Sequence, residues 1–337
     1  MKSWKASKTI TTRDNITCYQ FDKRFGFWGI PNLDIEISYD IPGNDISNKR
    51  LLVKHNKEGN RDEDLNLEKN EKTILCFGGS HTWGAGVDQS LRYSNRLSEL
   101  SGRKIQNLGH CSMGIDQVCL AIMQNSAKFK PEIIVIEQYP WAVHRIMNNY
   151  VNGYIRPNFY LDSKQDLKLK KVSTFARYKF LRRAVGAYYS FRKEFREFRL
   201  GIEIKNSYDP LHDPIFLLWK TRQYDSMYVL LDKILSVINN YCHKNNIKLL
   251  FALGAILQQF REDSASDLVD YDLPRNRLIQ LLNKNNIAYV DMTSHMLSKH
   301  SKEDPVIFSD GHINAKGHDL FASIVFKSLL EKGWVLK

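Results

Sequence analysis

Five short apolar runs alternating with helix-like stretches do most to limit the folds open to this chain. The runs are Thr73–Phe77, Lys104–Leu108, Ile133–Glu137, Ile247–Leu253 and Ile287–Asp291, bounded by charge, glycine, asparagine or proline. Runs this short and this apolar read as strands covered on both faces. Between them, Tyr93, Leu97 and Leu100 recur at spacings of four and three. Gly114–Ser126, Met227–His243, Arg275–Lys284 and a last stretch from Ala315 to about Lys332 also read as helices. Strand–helix alternation predicts an α/β fold with a five-stranded parallel sheet and helices on both faces. Such sheets bind ligands beyond the carboxyl ends of their strands, at the topological switch point. Ser80 stands just past the first strand, and His312 follows the fifth.

Two regions break the alternation. Residues 1–70 carry short strand-like runs, Leu33–Tyr39 and Leu51–His55, among glycine and proline turns. They read as a small β-containing extension. The polar stretch from Asn60 through Lys72 reads as a loop or boundary. Residues 146–245 hold too much chain for one crossover and read as a basic helical insertion or lid. The core is then 71–145 together with 246–337.

Within the insertion, Leu181, Ala184, Tyr188, Phe191, Phe195 and Phe198 fall at spacings of three and four. Residues 168–199 hold eleven Lys or Arg and two acids, Glu194 and Glu197, in a chain of net charge +12. This balance implies anionic partners rather than a fold. The amphipathic stripe either packs on the core as a lid or lies on an anionic membrane surface. No nucleic-acid motif accompanies the charge, so nucleic acid is not an expected partner.

Hydrophobic residues at 43% and aromatic residues at 12% exclude a wholly disordered chain. No apolar run reaches the roughly 18 residues of a membrane-spanning helix. Met1–Lys8 lacks the apolar stretch of a secretory signal, so the expected location is cytoplasmic, with at most peripheral membrane contact. The five cysteines are odd in number and form no C-x-x-C pair, which predicts free thiols. No Cys/His cluster has ligand spacing, and no metal is expected.

Chemistry concentrates in two distant segments. In Phe77-Gly78-Gly79-Ser80-His81-Thr82-Trp83-Gly84, two glycines turn the chain after a strand and leave a serine at a helix start. Ser80 there is either an N-cap or a nucleophile. A nucleophilic serine needs a base, a group that orients the base, and donors for the oxyanion. Near the other end, Ser309-Asp310-Gly311-His312 sets a carboxylate two residues from an imidazole. The carboxylate can hold one ring nitrogen and leave the other free as base.

With Asn107-Leu108-Gly109 and Gly114-Ile115-Asp116-Gln117, these segments resemble the SGNH (GDSL-like) hydrolase superfamily, in particular members associated with polysaccharide O-acetyl esters. Even Asn56–Asp62 is similar to a segment that often precedes this core. The resemblance implies a flavodoxin-like three-layer α/β/α fold. It implies Ser80 as nucleophile, His312 as base and Asp310 as its orienter, with the backbone N–H groups of Ser80 and Gly109 in the oxyanion hole. The expected substrates are carbohydrate or other acyl esters, including anionic glycans. No cofactor is required, although a transferase would take its acyl group from a donor such as acetyl-CoA. Hydrolysis and transfer share one triad and stay open, as does a catalytically degenerate protein that binds glycan or a membrane.

Three departures stand out. Gly79 replaces the usual aspartate, and Asp-x-His replaces the commoner Asp-x-x-His. The asparagine donor expected after the third strand is missing from Glu137-Gln138-Tyr139-Pro140-Trp141-Ala142-Val143-His144-Arg145. Gln138, His144, Arg145 or Asn148 could replace it, and Trp141 with Arg145 could instead form a substrate subsite. His81 reads as lining or structural, His110 as a surface loop residue, His318 as a helix residue packed under the loop, and Asp291 as a structural cap.

Overall fold

The computed structural model describes residues 9–12, 16–39, 50–66, 71–151, 153–199, 224–255, 257–260 and 270–336. Among the described residues, the N-terminal extension holds five strands: β1 (Thr9–Thr12), β2 (Tyr19–Asp22), β3 (Gly26–Gly29), β4 (Asp34–Tyr39) and β5 (Arg50–Lys54). β2 and β3 form a hairpin, while β4 pairs with β1 on one side and antiparallel with β5 on the other. Alternation in β5 buries Leu51 and Val53 and exposes the residues between and beside them.

The central sheet follows. β6 (Thr73–Phe77) leads into a single helical turn, α1 (Ser80–Trp83), then α2 (Tyr93–Ser101). β7 (Lys104–Asn107) is followed by α3 (Ile115–Phe129), and β8 (Ile133–Gln138) by a 3₁₀ helix, Pro140–Met147. After the insertion come α5 (Asp225–Lys244), β13 (Lys248–Leu253), α6 (Leu273–Lys284), β14 (Ala288–Asp291), α7 (Thr293–Lys299) and α8 (Ala315–Glu331). The order is β14-β13-β8-β6-β7, with every neighbouring pair parallel. The chain reverses its direction of growth between β6 and β8, so the switch point lies at their carboxyl ends.

Successive strand residues face opposite layers. Leu75, Phe77, Ile134, Ile136 and Phe251 pack with residues of α3, α5 and α6. Ile74, Cys76, Val135, Leu250 and Ala252 pack with residues of α2, α7 and α8. The three-layer α/β/α architecture expected from the alternation is the observed one. All five cysteines are free and buried.

The insertion is not helical throughout. It opens with two hairpins, β9 (Tyr150–Val151) with β10 (Tyr154–Ile155) and β11 (Asn158–Leu161) with β12 (Leu167–Lys170). Only then does α4 (Lys179–Arg199) begin. Lys168 and Lys170, grouped above with a basic helix, therefore belong to a strand. Phe195 and Phe198 fall outside the described side chains.

Where it is described, the polar stretch from Asn60 runs as a loop, but Asn60 and Arg61 are buried and Asp62 is largely covered. Arg61 is 0% exposed, its guanidinium donating to the carbonyls of Leu52, Trp83, Gly84 and Val87 and lying 4.5 Å from the Trp83 ring. The Asp62 carboxylate accepts from Asn107 N–H (2.7 Å), Gln106 Nε2 (2.9 Å) and Arg92 Nη2 (3.0 Å). The extension's own core includes Trp83 and Cys111, so it packs directly on the loops at the carboxyl edge of the sheet.

Candidate active site

Ser80 begins α1 at the end of β6, where the turn is shaped by the carboxylate of Glu137 from β8. Glu137 Oε2 accepts from Gly79 N–H (2.9 Å), Thr82 N–H (3.3 Å) and Thr82 Oγ1 (2.9 Å). A Cβ at Gly78 would lie 2.4 Å from that oxygen and 2.2 Å from Thr82 Oγ1. The glycine is therefore demanded by the carboxylate beside it. Burial pushes the Glu137 carboxyl up, against the bonds from Thr82 and Gly79 that favour its charge. At the other end of the turn, Arg61 takes the orphan carbonyls that a C-cap must satisfy.

His312 and Asp310 arrive on the loop before α8. Gly311 takes a left-handed φ of 88°, which tightens the turn. Asp310 then folds onto its own chain, accepting the His312 backbone N–H at 3.0 Å and ring Nδ1 at 2.9 Å. Burial alone would raise the Asp310 carboxyl; the His312 bonds outweigh it and hold the carboxyl below its ordinary value. His312 Nε2 lies 2.8 Å from Ser80 Oγ. Residues separated by 232 positions thus form one relay from carboxylate to imidazole to hydroxyl. The isolated bridge between Ile307 and Ile313 closes the loop that carries them.

His81 supports this loop from beneath. Its ring stacks on Tyr139 at 3.7 Å, and its Nδ1 accepts Ile313 N–H at 3.3 Å. Burial first, then the nearby His312 and His318 rings and the Arg145 guanidinium, disfavour a proton on His81 and keep its ring neutral as an acceptor. His318, buried, accepts the N-terminal N–H of α2 at Tyr93 (3.1 Å). Asp291 pairs with Arg275 at 2.9 Å and accepts Thr293 N–H, a capping role away from the relay. His110 departs from its surface reading. It is 0% exposed, with its ring 3.8 Å from that of Trp28, because the N-terminal hairpin covers the loop it sits on.

Of the two backbone N–H groups implied above as oxyanion donors, that of Gly109 has a partner within its own loop. Gly109 packs against α1, where a Cβ would come 2.5 Å from Thr82 Cβ. Its N–H donates to Asn107 Oδ1 at 3.0 Å, so the expected donor is spent inside the loop. The same asparagine binds the Thr82 carbonyl and Ser94 Oγ, which explains why its amide is fixed there. Three residues on, Ser112 is held at φ 64°, a region non-glycine residues seldom occupy. For Ser80 N–H no bond is found among the described residues.

Of the candidates after β8, Gln138 is buried and its amide donates to the Tyr139 carbonyl. Asn148 is exposed at the end of the 3₁₀ helix. His144 Nδ1 contacts the Trp141 carbonyl, and its ring stacks on the Trp141 indole at 5.3 Å. Arg145 is the one that reaches the serine turn, with Nη1 3.3 Å from the point a Gly79 Cβ would occupy. Its guanidinium also lies 5.1 Å from the Trp141 ring and donates to the Met113 carbonyl. An aspartate at position 79 would stand against this guanidinium. Arg145 is braced in turn by Arg156, which sequence reasoning missed. Arg156 is buried, pairs with buried Asp116 and donates to the Arg145 carbonyl at 3.0 Å. Its signal was hidden in the insertion, since nothing local distinguishes it from the other arginines. Among the described residues, no three His, Cys, Asp or Glu side chains gather as a metal would need.

No family model matches the chain, and no curated protein matches it. Solved structures do. An acetyl xylan esterase is 12% identical, with a TM-score of 0.42, over 76% of this chain and 99% of its own. The psychrotrophic esterase EstA from Pseudoalteromonas sp., solved with monoethylphosphonate, is 11% identical with a TM-score of 0.42, over 78% of this chain and 98% of its own. A GDSL-like lipase from Bacteroides thetaiotaomicron is 12% identical with a TM-score of 0.40, over 80% of this chain and 93% of its own. The solved structures similar in fold to this chain thus include two esterases, a GDSL-like lipase and a lipolytic protein described as of the G-D-S-L family.

Proposed function

We propose that this protein cleaves an acyl ester through a covalent acyl group on Ser80. The observation that carries the reading is the pair of bonds at His312, 2.8 Å to Ser80 Oγ and 2.9 Å to Asp310 Oδ2. Ser80 Oγ attacks the acyl carbon as His312 Nε2 takes its proton. Asp310 holds the ring and stabilises the imidazolium. The carbonyl electrons move onto oxygen, then return to expel the alcohol, which takes the proton from His312. Water repeats the sequence to release the acid; a sugar hydroxyl in its place would complete a transfer.

We assign the oxyanion to Ser80 N–H and the Arg145 guanidinium, which offers charge where the family pattern has a neutral amide. Trp141, half-buried beside Arg145, is a platform on which a sugar ring can stack, and this supports a carbohydrate O-acetyl ester as substrate. Acetyl-CoA is the donor class for a transferase variant of the same chemistry.

The test is p-nitrophenyl acetate hydrolysis with mass analysis of the stopped enzyme. An acetyl adduct on Ser80, absent in Ser80→Ala and accompanied by loss of turnover in Ser80→Ala and His312→Ala, is expected. Full turnover in Ser80→Ala would sink the mechanism. A second reading, a glycan-binding protein without turnover, is favoured by the spent Gly109 N–H. It predicts carbohydrate binding with no adduct on any ester.

A further inference from the structure

We infer that the outward face of α4 rests on an anionic lipid surface. The inner side of the helix is occupied. Gly186 packs so closely on Tyr150 that a Cβ would come 2.4 Å from its hydroxyl, and the Arg182 guanidinium lies 4.6 Å from the Tyr154 ring. On the opposite side, Phe180, Tyr188 and Phe191 are 68%, 55% and 65% exposed. At about 100° per residue these three, with Ala184 and Ala187 between them, share one face of the helix. Phe175, in the 3₁₀ turn just before α4, adds a fourth exposed ring at 66%.

Single exposed apolar residues need no explanation, whereas a row of aromatic rings on one helical face does. The row is about 16 Å long and lies on a convex helix, not in a groove. Exposed basic side chains border it: Lys179 and Arg183 share this helix, within a segment whose sequence holds eleven Lys or Arg and two acids. Aromatic rings flanked by cations match the boundary between acyl chains and anionic headgroups, where rings enter and cations stay at the phosphates. Among the described residues, no helix is long and apolar enough to cross a membrane, so the association is peripheral. The inference does not depend on the ester chemistry. Its consequence for the site is positional: α4 sits on the β9–β10 hairpin, and Arg156 directly after that hairpin braces Arg145.

The experiment is co-sedimentation of the full chain with vesicles of phosphatidylcholine alone or mixed with phosphatidylglycerol. Binding to the mixed vesicles only is expected, weakening as salt rises. The double variant Phe180→Ser/Phe191→Ser should lower partitioning about tenfold or more, and Arg183→Glu several-fold. Both variants should keep the thermal midpoint and p-nitrophenyl acetate turnover of the parent, since these side chains are mostly exposed and belong to neither the relay nor the residues around it. Equal binding to neutral vesicles, no binding, or parent-like binding by the double variant would overturn the inference. So would preferential capture of an RNA oligonucleotide over the anionic vesicles.

Discussion

At the residue scale, the serine turn is held between a carboxylate and a guanidinium. Glu137 gathers the Gly79 and Thr82 donors beneath it, and Arg145 flanks it. Glu137→Ala would leave the Gly79 and Thr82 N–H groups without their acceptor, while the Thr82 hydroxyl keeps its contacts to Phe77 and Tyr93. We expect it to lower stability by about 3 kcal/mol, read from urea unfolding, with a smaller loss for Glu137→Gln. For Arg145→Gln we expect kcat to fall about 10²–10³-fold with KM little changed, because the lost bond forms only in the transition state. Lysine should restore part of the rate, since it returns charge without the fork. A raised KM at unchanged kcat would instead mark Arg145 as a ground-state binding residue. Although the local pattern alone left Ser80 open as an N-cap, the serine, histidine and aspartate could be named through the resemblance of their short segments to a family pattern. The role of Glu137 could not, because a carboxylate ending a strand resembles any other until the turn folds over it.

At the scale of elements, α1 is too short to stand alone. Its four residues persist because Glu137 takes donors at the first turn and Arg61 takes carbonyls at the last. The stretch carrying Arg61 has the composition of a linker, and only its contacts with another element reveal its burial. The link between insertion and core is the buried pair of Arg156 and Asp116. Arg156→Ala strands a buried carboxylate and should cost about 3–5 kcal/mol. Replacing both partners, as Arg156→Met/Asp116→Leu, should recover most of that in thermal unfolding while leaving kcat reduced, because the Arg145 carbonyl loses its brace. The hairpins of the insertion escaped notice for a simple reason. Two-residue strands such as Tyr150–Val151 are too short to show a period.

At the scale of the whole molecule, three buried histidines and the half-buried His81 set the response to acid. Burial lowers all of them: His55 to about 4, His318 to about 3, and His81 and His110 well below the ordinary value. Each takes a proton readily once unfolded, near pH 6.5, but resists it in the fold. Their contribution to stability is complete above that pH and is lost as pH falls towards the folded values. Each costs about 1.4 kcal/mol per pH unit in that window, so the four together remove several kcal/mol by pH ~5.5. That is a large share of a typical domain's stability. The thermal midpoint should be flat above about pH 7 and fall steeply below 6. A midpoint that stays flat to pH 4.5 would contradict the buried neutral state of these rings.

Periodicity alone was enough for the five strands, their parallel alternation with helices and the edge at which Ser80 emerges, because each depends on a few neighbouring residues being apolar at regular intervals. The residues of the relay were legible for a related reason: each lies in a glycine-marked turn. Their meeting at 2.8 Å was not, nor was the fate of Gly109, whose donor is claimed by an asparagine two residues away. Arg145 at the turn, Arg156 behind it and the buried His110 also depend on long-range packing. Whether a polar group is free, paired or buried depends on what the rest of the chain lays against it, and no local pattern records that.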